Sequence, residues 1–560
     1  METVITLPVV IYCSLFMLIF LLSTTAATIK NSLISKLLWL LFLLLVIVEY
    51  VLRFYISIYI SIPIYKLILY ESLTFIILFF IAHFTKKDST KKFNYKNDMK
   101  LKLENNNEIT IKNFSSGISI FSASGFGKTT SVLYPIAKEF RDRCMSGVVY
   151  DYKNGEFTEI YLPLYKDKAD IIDIFSFDDI HTKKINVLDP KLYTDETAVK
   201  EIILTLMQSL LGKKAFQGPN AYFANTATSL LTAVAMRFIF DFPQYSTLPN
   251  VIAFLLGTDF SNEVFENGKP STQIFYGLDK FLKENHRSYI QAKDAILAFR
   301  NPETISNVSS TLFNALTKLS NPKFFWSLSE SEIDLDINKS EKILIILNNP
   351  TDELMYTPAL ITIFNIVTKR MQVKGRNKSF LMIDEASTIE LENMASIVAT
   401  MRTFGVSTVY CTQDISQGRY AYSQVGFDRI LSNLSTQFFG KANEPNTMKF
   451  YEGYMEKIKV KEKSHTKGNG RLSITSSFRE KPKIQGYEFG QFERGEFMFI
   501  TEGTQERIKL KNNSNIELIP YNPKLNEDDY KILSNNYDKI LKNMRDFSKD
   551  RKYGFYGNEK

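Results

Sequence analysis

The stretch that most constrains the fold is Ser122-Ala123-Ser124-Gly125-Phe126-Gly127-Lys128-Thr129, which follows the apolar run Ile118 to Phe121 and precedes a helix-like segment, Ser131 to Phe140. Strand, glycine-bearing turn and helix in that order form a loop whose backbone N–H groups curl around an anion while a helix N-terminus points at it. Gly125 and Gly127 supply the open backbone, and Ser124, Phe126 and Thr130 complete the segment that would wrap the phosphates of a nucleotide. Lys128 is placed to bridge the terminal phosphates, and the Thr129 hydroxyl to ligate Mg2+. Ser122 stands where the first glycine of G-x-x-x-x-G-K-[ST] is expected, so the match rests on its strand, turn and helix context. The bland alternative is a glycine-containing turn with an accidental Lys-Thr pair.

At 560 residues the chain is too long for one core, so an anchor and two or more packed units are expected. The formal charge of +8 favours a polyanionic partner or an anionic membrane surface, but 68 basic residues are largely offset by 60 acidic ones, so the location of the charge matters more than its sum. Cys13, Cys144 and Cys411 lie far apart, which argues against a disulfide framework and for a reducing compartment; the four histidines show no zinc-ligand spacing.

Residues 1–85 read as a membrane anchor of two to three helices: Val4 to Leu22 and Leu37 to Val48 are apolar, and Leu67 to Phe84 is a third candidate. A cleaved signal peptide is disfavoured because no positive stretch precedes Val4. Residues 86–110 read as a basic juxtamembrane linker. Seven lysines between Lys86 and Lys102 face only Asp88 and Asp98, which places this flank in the cytoplasm.

From there strands and helices alternate, the pattern of a parallel-sheet α/β domain. Gly117 to Phe121, Gly147 to Tyr150 and Ile171 to Phe175 read as strands in a first half (111–190), and Lys342 to Leu347, Phe380 to Ile383 and Val406 to Cys411 in a second (340–520). Between them, 191–339 has helical periodicity and reads as an all-α insertion; 521–560 is a polar tail, helical or partly disordered. The strand at Phe380 ends in Asp384-Glu385, the partner a phosphate loop requires: Asp384 to hold the magnesium and Glu385 to polarise the attacking water. Arg402 falls in the last turn of the following amphipathic helix, before Gly405, and Gln413 stands at a strand end where a γ-phosphate sensor could sit, an ordinary polar strand end being the bland alternative. Asp151, Lys153 and Glu156 follow another strand and by periodicity alone read as an ordinary polar loop.

Taken in order, Gly125-Phe-Gly-Lys-Thr129, Asp151-x-Lys153-x-x-Glu156, Asp384-Glu385-Ala386, Met401-Arg402-x-Phe404-Gly405 and Thr412-Gln413-x-x-x-Gln417 with Tyr420 resemble the motifs of type IV secretion coupling proteins. These are the TraG/TraD-like ATPases of conjugation, within the FtsK/HerA superfamily. The resemblance extends over roughly residues 110–510 and includes the Gly-Glu-Phe-Met-Phe-Ile run at 495–500. It implies a RecA-like P-loop NTPase domain behind transmembrane helices, using ATP and Mg2+. It also implies a homohexamer in the bacterial inner membrane, multi-pass, with the ATPase domain in the cytoplasm. Such a ring receives relaxase-bound single-stranded DNA or a protein substrate and delivers it to type IV secretion channel components. Lys128, Glu385, Gln413 and Arg402 would be catalytic, Arg402 acting on a neighbouring subunit's site. A DNA-pumping ATPase of segregation or element replication, and a nucleotide-binding membrane scaffold without turnover, are the alternatives.

Overall fold

A computed structural model describes residues 98–554 apart from 220, 261–263, 267–268, 272–274, 392, 469–470 and 514. The expected membrane anchor of two to three helices lies outside the described residues. Among those described, the helix Ala221–Asp241 is long and apolar enough to cross a bilayer, but 78% of its apolar window is buried inside the body, as in a core helix.

The described residues begin with a hairpin, β1 (Met99–Lys102) and β2 (Glu108–Ile111), followed by the loop strand β3 (Ile118–Phe121), β4 (Ser146–Asp151) and β5 (Ile172–Phe175). After a helical region with a short hairpin, β6 (Val264–Glu266) and β7 (Lys269–Ser271), come β8 (Ile343–Leu347), β9 (Ser379–Ile383), β10 (Val406–Thr412) and β11 (Thr436–Phe439). A ribbon, β12 (Lys457–Gly468) and β13 (Arg471–Pro482), precedes β14 (Glu496–Thr501) and β15 (Thr504–Lys509).

The central sheet has nine strands in the order β15-β14-β11-β3-β10-β9-β4-β8-β5. The run from β11 to β5 is parallel, and β14 and β15 add antiparallel to its outer edge. Every residue of β3, β4, β8, β9 and β10 is buried, as a parallel sheet with both faces covered requires. Alternation along the strands sorts their side chains into two cores. Ile118, Ile120, Val149, Phe380, Met382 and Cys411 join the β1–β2 hairpin and the helices Tyr134–Asp142 and Glu156–Leu164 on one face. Phe121, Tyr150, Leu381, Ile383 and Tyr410 meet the helices Glu196–Leu211, Glu353–Met371 and Ile415–Leu431 on the other.

Three features differ from the sequence reading, and a fourth decides between alternatives it left open. Met99, Leu101, Ile109 and Ile111 are buried in the sheet core, so the linker segment is folded from β1 onward. The region between β5 and β8 is helical except for β6–β7; the Asn267-Gly268 pair between these strands is the hairpin signal that helical periodicity hid. The β12–β13 ribbon pairs only with itself and is likewise joined by an Asn-Gly pair, Asn469-Gly470. The tail, lastly, takes the helical of its two expected forms and is docked. Glu527–Asp550 is a helix opened by a capping box of Asn526 and Asp529, with Leu533, Ile540, Met544 and Phe547 buried. Phe547 packs on Phe238, Phe242 and Tyr245 with ring centroids 5.6, 5.1 and 5.2 Å away.

Candidate nucleotide site

The loop between β3 and its helix takes the backbone that its glycines permit. Gly125 and Gly127 lie at φ 81° and 92°, a region an L side chain rarely adopts. Lys128–Leu133 form widened first turns that run into Tyr134–Asp142. The loop crown is held from outside: Gly495 N–H donates to the Phe126 carbonyl (3.1 Å), Lys441 Nζ stands 4.3 Å from the Phe126 ring centroid, and Asn513 Nδ2 donates to the Thr130 carbonyl (3.0 Å). Arg494 Cγ also lies beside Gly127. Sequence spacing gave no signal for Lys441, Arg494 or Asn513, because each is brought in by strand pairing with β11, β14 and β15.

The Ser122 departure has a structural counterpart. Ser122 is fully buried and faces Gly440 at the end of β11, where a Cβ would lie 2.6 Å from Ser122 Oγ and 2.7 Å from its Cβ. The glycine missing from the loop is thus supplied by the adjacent strand. Gly440→Ala is expected to cost about 1 to 3 kcal/mol by overpacking. Adding Ser122→Gly should restore part of that loss in thermal unfolding; an additive double variant would refute the contact.

The carboxylate strand β9 is not the neighbour of β3, because β10 lies between them. The end of β10 therefore presents Gln413 between the loop and Asp384-Glu385. Lys128 Nζ and Gln413 Nε2 both donate to Glu385 Oε1 at 3.2 Å, and the Lys128–Glu385 pair is buried. Glu385 is held at φ 51°, left-handed for a residue with a side chain, a strain that persists where surroundings over-determine the backbone. Thr129 Oγ1 donates to Glu156 Oε1 (3.2 Å), and Lys153 Nζ pairs with Glu156 Oε2 (2.7 Å). So Lys153 and Glu156 belong to the site rather than to an ordinary polar loop. Asp151 instead secures the start of the helix Glu156–Leu164, its Oδ2 accepting from the N–H groups of Phe157 and Thr158 at 3.0 Å each.

Asp384 is 2% exposed, and its Oδ2 has no hydrogen-bond partner. Burial, reinforced by the charge of Glu385 and opposed by Lys128 and Lys153, pushes its pKa up to about 7. A buried carboxylate oxygen without a partner, within reach of the charge of Glu156, to which the Thr129 hydroxyl donates, fits a divalent cation that also takes oxygens from a phosphate. Among the described residues no group of three His, Cys, Asp or Glu gathers to hold a metal without such help.

The raised pKa sets a pH signature. Below about pH 4 both folded and unfolded Asp384 are protonated; between about 4 and 7 only the unfolded carboxyl ionises, so its contribution to stability falls as pH rises. Asp384→Asn, which cannot ionise, should raise the Tm of nucleotide-free protein by several degrees at pH 8 and by less at pH 5. Equal shifts at both pH values would refute the penalty.

Ser124 and Gly125 are exposed at the loop, Thr130 is half-buried, and Arg402 is exposed elsewhere. Arg402 closes its helix at the start of β10 and Gln413 follows its end, so a strand of seven residues, about 23 Å long, separates Arg402 from the site within one chain. The structure brings Lys128, Thr129, Asp384, Glu385 and Gln413 together and leaves Arg402 at the opposite end of the strands.

A phosphate loop, two carboxylates on a second strand and an intervening strand ending in a glutamine define a P-loop nucleotide-binding α/β protein. Residues 82–511 match the family of type IV secretory system conjugative DNA transfer proteins, and the chain belongs to that family of coupling ATPases. The chain is similar in fold to the bacterial conjugative coupling protein TrwBdeltaN70, at 13% identity and TM-score 0.56, covering 76% of this chain and 91% of that one. It is also similar to TrwB in complex with the non-hydrolysable GTP analogue GDPNP (13% identity, TM-score 0.55, 73% of this chain and 89% of that one). A third similar structure is TrwB in complex with ADP and Mg2+ (13%, TM-score 0.52, 72% and 88%). No curated protein matches the chain.

Proposed function

We propose that this coupling ATPase is a membrane-anchored, homohexameric motor in the bacterial inner membrane, delivering relaxase-bound single-stranded DNA or a protein substrate to a type IV secretion channel. The observation that carries the catalytic part is the buried group of Lys128, Glu385 and Gln413 beside an unpartnered Asp384, at the mouth of a phosphate loop. The domain reading accompanies it: anchor 1–85, nucleotide-binding halves 111–190 and 340–520, and insertion 191–339. TrwB, similar in fold, has been captured with ADP and Mg2+ and with a non-hydrolysable ATP analogue, which supports ATP and Mg2+ as the ligands here.

The ion pairs define what ATP must displace. Lys128 leaves Glu385 for the β- and γ-phosphates, and Glu385, released from Lys128 but still touched by Gln413, becomes the base that holds the attacking water and accepts its proton. Thr129 leaves Glu156, which Lys153 keeps paired. Thr129 and Asp384 would hold magnesium, which supplies charge neutralisation at the phosphates. Ser124 to Thr130 would provide the backbone wrapping the phosphates, and Gln413 the contact that senses the γ-phosphate.

ATP hydrolysis by the full-length protein in detergent is the test, measured with and without single-stranded DNA. Hydrolysis stimulated by the strand is expected; nucleotide binding without turnover in either condition would leave a scaffold.

A further inference from the structure

We propose that the β12–β13 ribbon is a contact surface for single-stranded DNA, a reading that rests on the DNA-transfer function proposed above. Two strands of 12 residues pair with each other in continuous register from Lys457↔Pro482 to Gly468↔Arg471 and with no other strand, forming an arm about 40 Å long. Between 457 and 482 the sequence has eight Lys and Arg against Glu462 and Glu480, so most of the chain's formal charge of +8 resides in this one ribbon.

The charge is arranged by face. Lys457, Lys459 and Lys461 alternate along β12 and are all exposed, which puts them on one side about 6.8 Å apart. Across the register on that side stand Pro482, Glu480 and Phe478. On the other side Glu462 is paired with Lys481 (2.6 Å), so Glu480 is the only acidic side chain on the lysine face among the described residues. The lysine spacing is about twice the ~3.4 Å axial separation of phosphates along one stacked strand, so successive lysines meet every second phosphate. Phe478 lies directly opposite Lys461 and is 71% exposed. An exposed aromatic ring beside a row of cations is a platform for an unpaired base, whereas a duplex keeps its base faces stacked inside. The ribbon is rooted beside the turn from β14 to β15, where Glu456 N–H donates to Gln505 Oε1 (3.0 Å) and the Lys483 N–H to the Glu456 carbonyl (2.8 Å), and it contributes no residue to the nucleotide site.

The experiment measures binding of a fluorescent single-stranded oligonucleotide to the full-length protein in detergent across a salt series, with basal ATP hydrolysis as the control for folding. Lys457→Ala/Lys459→Ala/Lys461→Ala should weaken binding at least tenfold at 0.1 M salt and lower the slope of log K against log salt by about 2, with basal hydrolysis unchanged. The corresponding triple Arg variant should bind like wild type. Phe478→Ala should weaken single-strand binding roughly five- to 150-fold and leave duplex binding within twofold. If wild type binds the strand and the triple Ala variant binds it equally well with the same salt slope, the ribbon assignment is overturned while the DNA-transfer reading stands. If wild type hydrolyses ATP and binds no DNA at all, both fall. Loss confined to vesicles containing anionic lipid, with strand binding intact, would make the ribbon a membrane contact and overturn the proposal.

Discussion

A Glu385→Gln protein is expected to bind ATP about as tightly as wild type and to hydrolyse it about 10²- to 10⁴-fold more slowly. The amide keeps the shape of the side chain and an oxygen able to accept from Lys128 and Gln413, which both reach Glu385 Oε1 at 3.2 Å, so the local packing survives. What it loses is the capacity to take a proton from water. Lys128→Ala should differ in kind. Among the described residues Lys128 is the only Lys or Arg whose side chain touches Glu385. Its removal leaves the β- and γ-phosphates without their cation and the Glu385 carboxylate buried without its ion-pair partner, so nucleotide affinity and turnover fall together. Equilibrium binding of a fluorescent ATP analogue and single-turnover hydrolysis separate the two variants. Turnover at the wild-type rate in Glu385→Gln would remove Glu385 from the role of base. Turnover lost only because binding is lost would reduce it to an anchor for Lys128.

The parallel sheet was legible because its strands are short, uninterrupted apolar runs whose polar ends carry the site. The periodicities of β3, β4, β8, β9 and β10 fall within a residue or two of the observed bounds. What the order of residues could not reveal is which strand lies between which. Only the placement of β10 between β3 and β9 explains why Gln413 meets Glu385, and only the pairing of β11 with β3 explains how Gly440 makes room for Ser122. Glu156 and Lys153 carry no periodic signal; their part in the site follows from the helix that Asp151 starts at the end of β4. The two hairpins were legible and overlooked, since Asn267-Gly268 and Asn469-Gly470 each separate segments of strand length. For the tail, composition left helix and disorder both open. Its helix is polar overall, yet Leu533, Ile540, Met544 and Phe547 form the one stripe needed to dock.

The largest remaining expectation concerns Arg402, which within one chain stands at the opposite end of the strands from the phosphate loop. A cation there is favoured by the helix macrodipole alone, by about 0.3 to 1 kcal/mol, and that role would leave the chemistry untouched. An arginine that reaches a neighbouring subunit's γ-phosphate contributes about 10³- to 10⁵-fold in rate, so the two roles differ by orders of magnitude. Arg402 is exposed and opens the short turn closed by Gly405 at φ 76°, and both features suit a residue presented to a partner. Arg402→Ala subunits and Lys128→Ala subunits, each expected to be inactive alone, should regain ATP hydrolysis when assembled together, because an intact Lys128 loop then faces an intact Arg402 across some boundaries. The yield of active sites should follow the mixing ratio, with a maximum near equal proportions. Near-normal hydrolysis by Arg402→Ala alone, or no recovery in assemblies shown to be mixed, would leave Arg402 with the helix end it closes.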